Sequence, residues 1–184
     1  MYLSVYDLVS STADDLIKKL NTRNAFKIAA ELGISVEDQR IGKVMGMYTC
    51  IQHVCFISLS VRLDEQGRIN VCFHELGHHV FDRSLAEDTK KRDYTIRNLK
   101  KPVELRASML GAELWLKDED ILEMAYLGYT VDQIAMKTGA YPDFVALKID
   151  LLRHKGYDLN KIERNRNVFK VAEDRYSGSD YSPC

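Results

Sequence analysis

The chain of 184 residues is long enough for one domain with a proper core, with room for a small helical appendage. Its composition, 46% hydrophobic and 29% charged, is that of an ordinary globular protein, and a net charge of −1 excludes a global basic field directed at nucleic acid or anionic lipid. Four cysteines with no C-x-x-C pair exclude a disulfide scaffold, and no apolar run approaches the roughly 20 residues of a membrane span.

The opening "MYLSVYDLVSSTADDL" lacks a basic n-region and breaks its apolar run at Asp7, so it does not read as a secretory signal. A cytoplasmic protein with reduced thiols and no membrane partner is the expectation. The first helix is signalled at "STADDLIKKL", with Ser11 and Thr12 as caps and Leu16, Ile17 and Leu20 as an apolar stripe. A second follows at "TRNAFKIAAELG", where Gly33 suits a left-handed helix end. From Ile34 to Leu63, β-branched and aromatic residues cluster in "GKVMGMYTCI" and "HVCFISLSV", which predicts two or three strands in a small sheet. "DEQGR" reads as a turn closing that section.

A helix is then expected from about Ile69 to Ser84, and another from Pro102 to about Leu116. Between them lies the charged "EDTKKRDYTIRNLKK", read as a solvated loop. Asp118 can cap a short helix "EDILEMAYLG". Thr130 and Gln133 form a capping box for "VDQIAMKTG", and Pro142 opens "DFVALKIDLLRHKG". "DRYSGSDYSPC" reads as a flexible tail.

The chemistry concentrates in "FHELGHHVFD", Phe73 to Asp82. One helical turn separates His74 from His78, so both imidazoles project from one face and can share a tetrahedral ion at about 2.0–2.1 Å. Glu75 lies beside them, too near His74 in sequence to ligate comfortably but well placed as general base toward a water on the metal. Gly77 lets another element approach closely. A catalytic zinc needs a third protein ligand, and the "H-x-x-G-x-x-H" extension of the metzincins is absent, since positions 81 to 84 read "FDRS". The remaining source is a glutamate of a following helix: Glu104 is the choice, followed three residues later by the small Ala107, with Glu113 as fallback and Glu119 and Glu123 further off.

With these residues in place, the chain resembles the ImmA/IrrE family of metallopeptidases. The likeness rests on "AFKIAAELGISV" (Ala25 to Val36), "HELGHHVFD", "ELRASMLGAELWLK" and "TVDQIAMKTGAYPDFVALKIDLLRHKG", and runs from about Thr22 to Gly156. The resemblance implies a Zn²⁺ enzyme whose ligands fall on His74, His78 and Glu104, with Glu75 as catalytic acid/base. It also implies a protein substrate, a helix-turn-helix repressor of a phage or mobile element. Ser108, Leu110, Trp115 and Lys117 depart from the family's pattern, and Asp82 stands where histidine is frequent.

Other polar residues are weighed against plainer roles. His79 points about 100° away from His78, which suits a surface or supporting role, although His79 and Tyr94 are the candidates for an oxyanion contact. Asp82, four residues past His78, can hydrogen-bond a ligand imidazole or lie on the helix surface. Strand alternation explains Cys50, His53 and Cys55 better than a second metal does. The segment Thr130–Gly156 has a helix-turn-helix outline, but "DFVALKIDLLRHK" is too apolar to lie in a DNA groove, so direct DNA contact is not expected.

The expected fold is α+β: mostly helical with a small β-sheet, a zincin-like catalytic core followed by a helix-turn-helix-like helical segment. Residues 1–156 are read as a single metallopeptidase domain, with a core of about 22–117, a helical subdomain of about 118–156, and a polar tail over 157–184. The expected function is zinc-dependent endopeptidase; the alternative is a metal-containing regulatory protein that acts by protein or DNA binding without proteolysis.

Overall fold

The computed structural model describes residues 4–87, 102–160 and 162. The first helix, α1, spans Val5–Leu20, six residues earlier than the sequence suggested. Ser4 is its cap, accepting from the Asp7 amide at 3.1 Å, while Ser11 and Thr12 lie inside the helix with their hydroxyls donated to the Leu8 carbonyl. The apolar stripe therefore begins with Val5 and Val9, and an internal serine–threonine pair is tolerated because its hydroxyls bond backward. Helix α2, Ala25–Glu31, is capped by Asn24 and leads through Gly33, whose φ of +72° is the left-handed conformation expected there.

Three strands follow: β1 (Ile34–Gln39), β2 (Gly46–Ile51) and β3 (Val54–Ser60). They form a mixed sheet in the order β1-β3-β2, with β1 parallel and β2 antiparallel to β3. β2 and β3 are joined through Gln52 and His53, both at positive φ (49° and 67°), the handedness that matches strand twist in a two-residue hairpin. Immediately inside this turn Cys50 and Cys55 face one another in register and are joined as a disulfide, with 4.2 Å between their Cα atoms. This corrects the expectation of reduced thiols: alternation along each strand places both sulfurs on the same sheet face, at the close spacing of a directly opposed pair. Cys72 stays free and buried, and Cys184 lies outside the described residues.

Helix α3 spans Glu65–Glu87, so "DEQGR" is no separate turn. Asp64 accepts from the Gly67 amide at 2.7 Å, starting the helix at that point. Helices α4 (Pro102–Trp115), α5 (Asp118–Tyr126), α6 (Val131–Thr138) and α7 (Pro142–His154) complete the fold. Asp118 is the first residue of α5 rather than its cap, and its carboxylate is drawn instead to Lys148 and Lys155. Both halves of the Thr130–Gln133 capping box are formed.

α3 runs through the centre, between β2 and the sheet on one side and α4 on the other. Val71, Cys72, Phe73 and Leu76 from α3 meet Leu105, Met109, Leu110 and Leu114 from α4 in one core. Phe73 stacks on Trp115 at 5.2 Å between ring centroids. Helix α7 turns Phe144, Val145, Leu147, Ile149, Leu151 and Leu152 inward against α4, as its apolar composition required. The same interface buries Lys148, paired to Glu113. Beyond α7 the structure differs from the expected tail at its outset: Leu159 and Ile162 are buried, and Arg153 donates to both of their carbonyls. The charged loop with Tyr94 and the stretch from 163 to 184 lie outside the described residues. No helix among the described residues is long and apolar enough to cross a membrane.

Candidate metal centre

The two histidines of α3 and one glutamate of α4 converge. His74, His78 and Glu104 are all buried, and each offers one ligand atom within 4.8 Å of the others. Glycine makes this convergence possible. A Cβ on Gly77 would lie 2.3 Å from the Ala107 carbonyl oxygen and 2.5 Å from its Cα, so α3 and α4 touch backbone to backbone between the histidine pair and the glutamate. A second contact of the same kind joins Gly111 to the Phe73 carbonyl, where a Cβ would stand 2.9 Å away.

The separations test whether an ion fits. His74 Nε2 and His78 Nε2 are 3.1 Å apart, and Glu104 Oε2 lies 3.3 Å from the first and 3.6 Å from the second. Ligands at about 2.0–2.1 Å in a tetrahedron stand ~3.3 Å from one another. Glu104 Oε2 nevertheless makes no well-aligned hydrogen bond among the described residues. The three atoms stand at the mutual spacing that a small divalent cation requires.

The outer nitrogens of both rings are engaged. His74 Nδ1 is 2.9 Å from Ser108 Oγ, and His78 Nδ1 is 3.3 Å from Asp82 Oδ2. Each contact turns the opposite nitrogen, Nε2, toward the centre. Asp82 is therefore a buried partner of His78 and not a surface carboxylate; its second oxygen accepts from Arg106.

Glu75 lies beside the trio with its Oε2 buried and without a hydrogen-bond partner among the described residues. Burial raises its pKa above the usual carboxylate range; His74 and His78 pull the other way, Glu104 adds to the rise, and a hydrogen bond from the Tyr48 amide lowers it. Burial would also raise Glu104, but the close His74 and His78 imidazoles outweigh it and hold that carboxyl down at about 2. Burial alone would lower His78, yet the hydrogen bond to Asp82 and the neighbouring Glu104 and Glu75 carboxyls carry its imidazolium up to about 10. Cys72 is pushed up to about 12, first by burial and then by Glu75.

The alternative glutamates are elsewhere. Glu113 is held by Lys148, Lys155 and the Ser10 hydroxyl, while Glu119 and Glu123 are exposed on α5. His79 turns away to Tyr48, whose hydroxyl is 2.9 Å from its Nδ1 and also touches both sulfurs of the disulfide. Its pKa is lowered by burial and then by Arg83. A cavity of about 320 Å³ between α4, α5 and α6 shares no residue with the trio.

Sequence reasoning missed four contributors. Ser108 stands one turn past Glu104, and that spacing was a usable signal. Arg106, Tyr48 and Gly46 carried none, because their roles come from contacts between elements distant in the chain.

Comparison with known proteins extends the picture. The peptidase M78 family model, described as the IrrE N-terminal-like domain, matches residues 29–150. The chain is 29% identical over 154 residues to uncharacterized immunity region protein 2 of Bacillus phage phi105, covering 83% of this chain and 95% of that protein. No solved structure matches significantly.

Proposed function

This chain belongs to the IrrE N-terminal-like peptidase family, and on that basis we propose that it is a zinc-dependent endopeptidase acting on a helix-turn-helix repressor of a phage or mobile element. The observation that carries the proposal is the spacing of His74 Nε2, His78 Nε2 and Glu104 Oε2 at 3.1, 3.3 and 3.6 Å beside the buried Glu75 carboxylate. The similarity to a phage immunity-region protein supports the setting, a protease-like role in phage immunity.

In this reading His74, His78 and Glu104 would hold the ion. A divalent cation there supplies Lewis acidity toward a water molecule and toward the peptide carbonyl. Glu75 takes the proton from the attacking water and delivers it to the departing amide nitrogen. Burial of the Glu75 carboxyl favours its protonated form and so its acceptance of that proton. Ser108 and Asp82 hold the imidazoles in the orientation that presents Nε2 inward. The Val71 side chain borders the same space above Gly46 as the Glu75 carboxyl, which is itself buried.

The test is incubation of the purified protein with a helix-turn-helix phage repressor, chosen by inspection of the genes that flank its own, followed by mass spectrometry. Cleavage is expected with the wild-type chain and Zn²⁺, and is lost with Glu75→Gln or a chelator. A Glu75→Gln chain that still cleaves at the wild-type rate overturns the mechanism. A wild-type chain that binds the repressor without cutting it favours the regulatory alternative.

A further inference from the structure

Helix α3 leaves helical geometry at Asp82, with φ −129° and ψ 20°. Sharp kinks in helices ordinarily trace to proline, glycine–serine pairs or an inserted group. The local sequence "HVFDRS" contains neither proline nor glycine, and the break falls at a residue whose side chain is held from outside its own turn. Its carboxylate is 3% exposed and is held from two sides, by His78 Nδ1 at 3.3 Å and by the Arg106 guanidinium. Arg106 sits on α4 two residues past Glu104, and its guanidinium carbon lies 5.0 Å from the centre of the Phe81 ring.

These contacts form a closed circuit. His78 meets Asp82 on its own helix, Asp82 meets Arg106 on α4, and Glu104 of α4 returns to within 3.6 Å of His78. The Gly77–Ala107 contact sets how closely the two helices approach, whereas a backbone contact between small residues leaves sliding and rotation open. An ion pair across the same helices, its carboxylate buried and its guanidinium partly buried, restricts that freedom, because sliding would pull the Asp82 charge away from the guanidinium that faces it.

We propose that Asp82 and Arg106 are positioning residues that lock the His78 ring and the register of α3 against α4, so that His78 and Glu104 meet at a single divalent cation. The inference rests on the metal-centre reading above. The i,i+4 spacing sets Asp82 over the His78 ring, and Arg106 holds the carboxylate there from α4.

The experiment measures Zn²⁺ and Co²⁺ affinity of the full chain by competition with a chromophoric chelator. The visible absorption of the Co²⁺ form and the unfolding of the metal-free form are recorded alongside. Asp82→Asn and Arg106→Met are expected to weaken both affinities about 10–100-fold and to alter the Co²⁺ spectrum, with partial recovery in Arg106→Lys. Glu113→Gln, which removes a buried charge pair from the same helix away from the trio, is expected to lose stability while keeping affinity and spectrum. Wild-type affinity and an unchanged spectrum in both Asp82→Asn and Arg106→Met overturn the inference. Equal weakening by Glu113→Gln also overturns it, by showing a general loss of rigidity. A wild-type chain that binds neither ion defeats the metal-centre reading itself, an outcome separate from those two.

Discussion

Gly46 of β2 and Glu75 of α3 occupy adjoining space: a Cβ at position 46 would stand 2.8 Å from Glu75 Oε1 and 2.3 Å from Val71 Cγ1. The strand therefore shapes the surroundings of the carboxylate without contributing a side chain of its own. Gly46→Ala is expected to displace Glu75 and reduce proteolysis about 10–100-fold, since ångström-scale misplacement costs about that much. Metal content, read by elemental analysis, stays at the wild-type level. Unchanged activity in Gly46→Ala refutes this role for the strand.

The two glutamates of α4 should separate cleanly. Glu104→Gln removes the trio's only carboxylate and is expected to lose divalent-ion binding by at least about 100-fold. Glu113→Gln leaves Lys148 buried without its full counter-charge and is expected to cost about 3 kcal/mol of folding stability with binding intact. Equilibrium dialysis and denaturant titration distinguish the two. Reversed results would move the ligand to Glu113.

A pH dependence follows from the shifted groups. In the metal-free fold the His78 pKa is raised from 6.5 to about 10, so its stabilising contribution is complete below pH 6.5 and is lost as pH climbs toward 10. Glu104 is depressed from 4.5 to about 2, so its contribution is complete above pH 4.5 and is lost as pH falls toward 2. The metal-free chain should accordingly melt at a higher temperature at pH 5.5 than at pH 9, and His78→Gln should flatten that alkaline decline. Ion binding must displace the His78 proton, so affinity should rise about tenfold per pH unit between neutrality and pH 9. Chelator competition across pH checks the slope, and a flat profile contradicts the assignment.

Gly77→Ala introduces a methyl group into space held by the Ala107 backbone, 2.3–2.7 Å away. Backbone cannot rotate aside as a side chain would, so α3 and α4 must separate, at about 3 kcal/mol. Both stability and ion affinity should fall together in this variant. A loss of stability with ion affinity intact would show that the trio tolerates helix separation.

The Cys50–Cys55 bond closes a short hairpin whose turn residues Gln52 and His53 hold left-handed backbone without being glycine or asparagine. Cys50→Ser with Cys55→Ser is expected to destabilise the fold by about 2 kcal/mol, the chain-entropy value for a loop of this size. Thermal melts with and without dithiothreitol should reproduce that difference in the wild-type chain. Identical melts in both conditions would contradict it.

Much of this structure was legible in the residues, and the limits have physical causes. Helical periodicity and end signals located α2, α4, α6 and α7, because capping and amphipathicity are local. The starts of α1 and α3 were misplaced because Ser4 and Asp64 outcompeted later signals that looked equally good in isolation. The trio could be chosen from helix geometry and spacing, but the partners that orient it come from residues that meet only after folding. Asp82 illustrates the boundary: its spacing from His78 was visible, whereas Arg106 and the break in α3 were not.

The apolar face of α7 is turned inward against α4. On the proposed function, the chain acts on a genetic switch by destroying one of its components and not by competing for a site. Such an act is irreversible and multiplies, since one molecule can dispose of many. Return to the earlier state then waits on fresh synthesis of the cleaved protein, which turns a brief exposure to the enzyme into a lasting commitment.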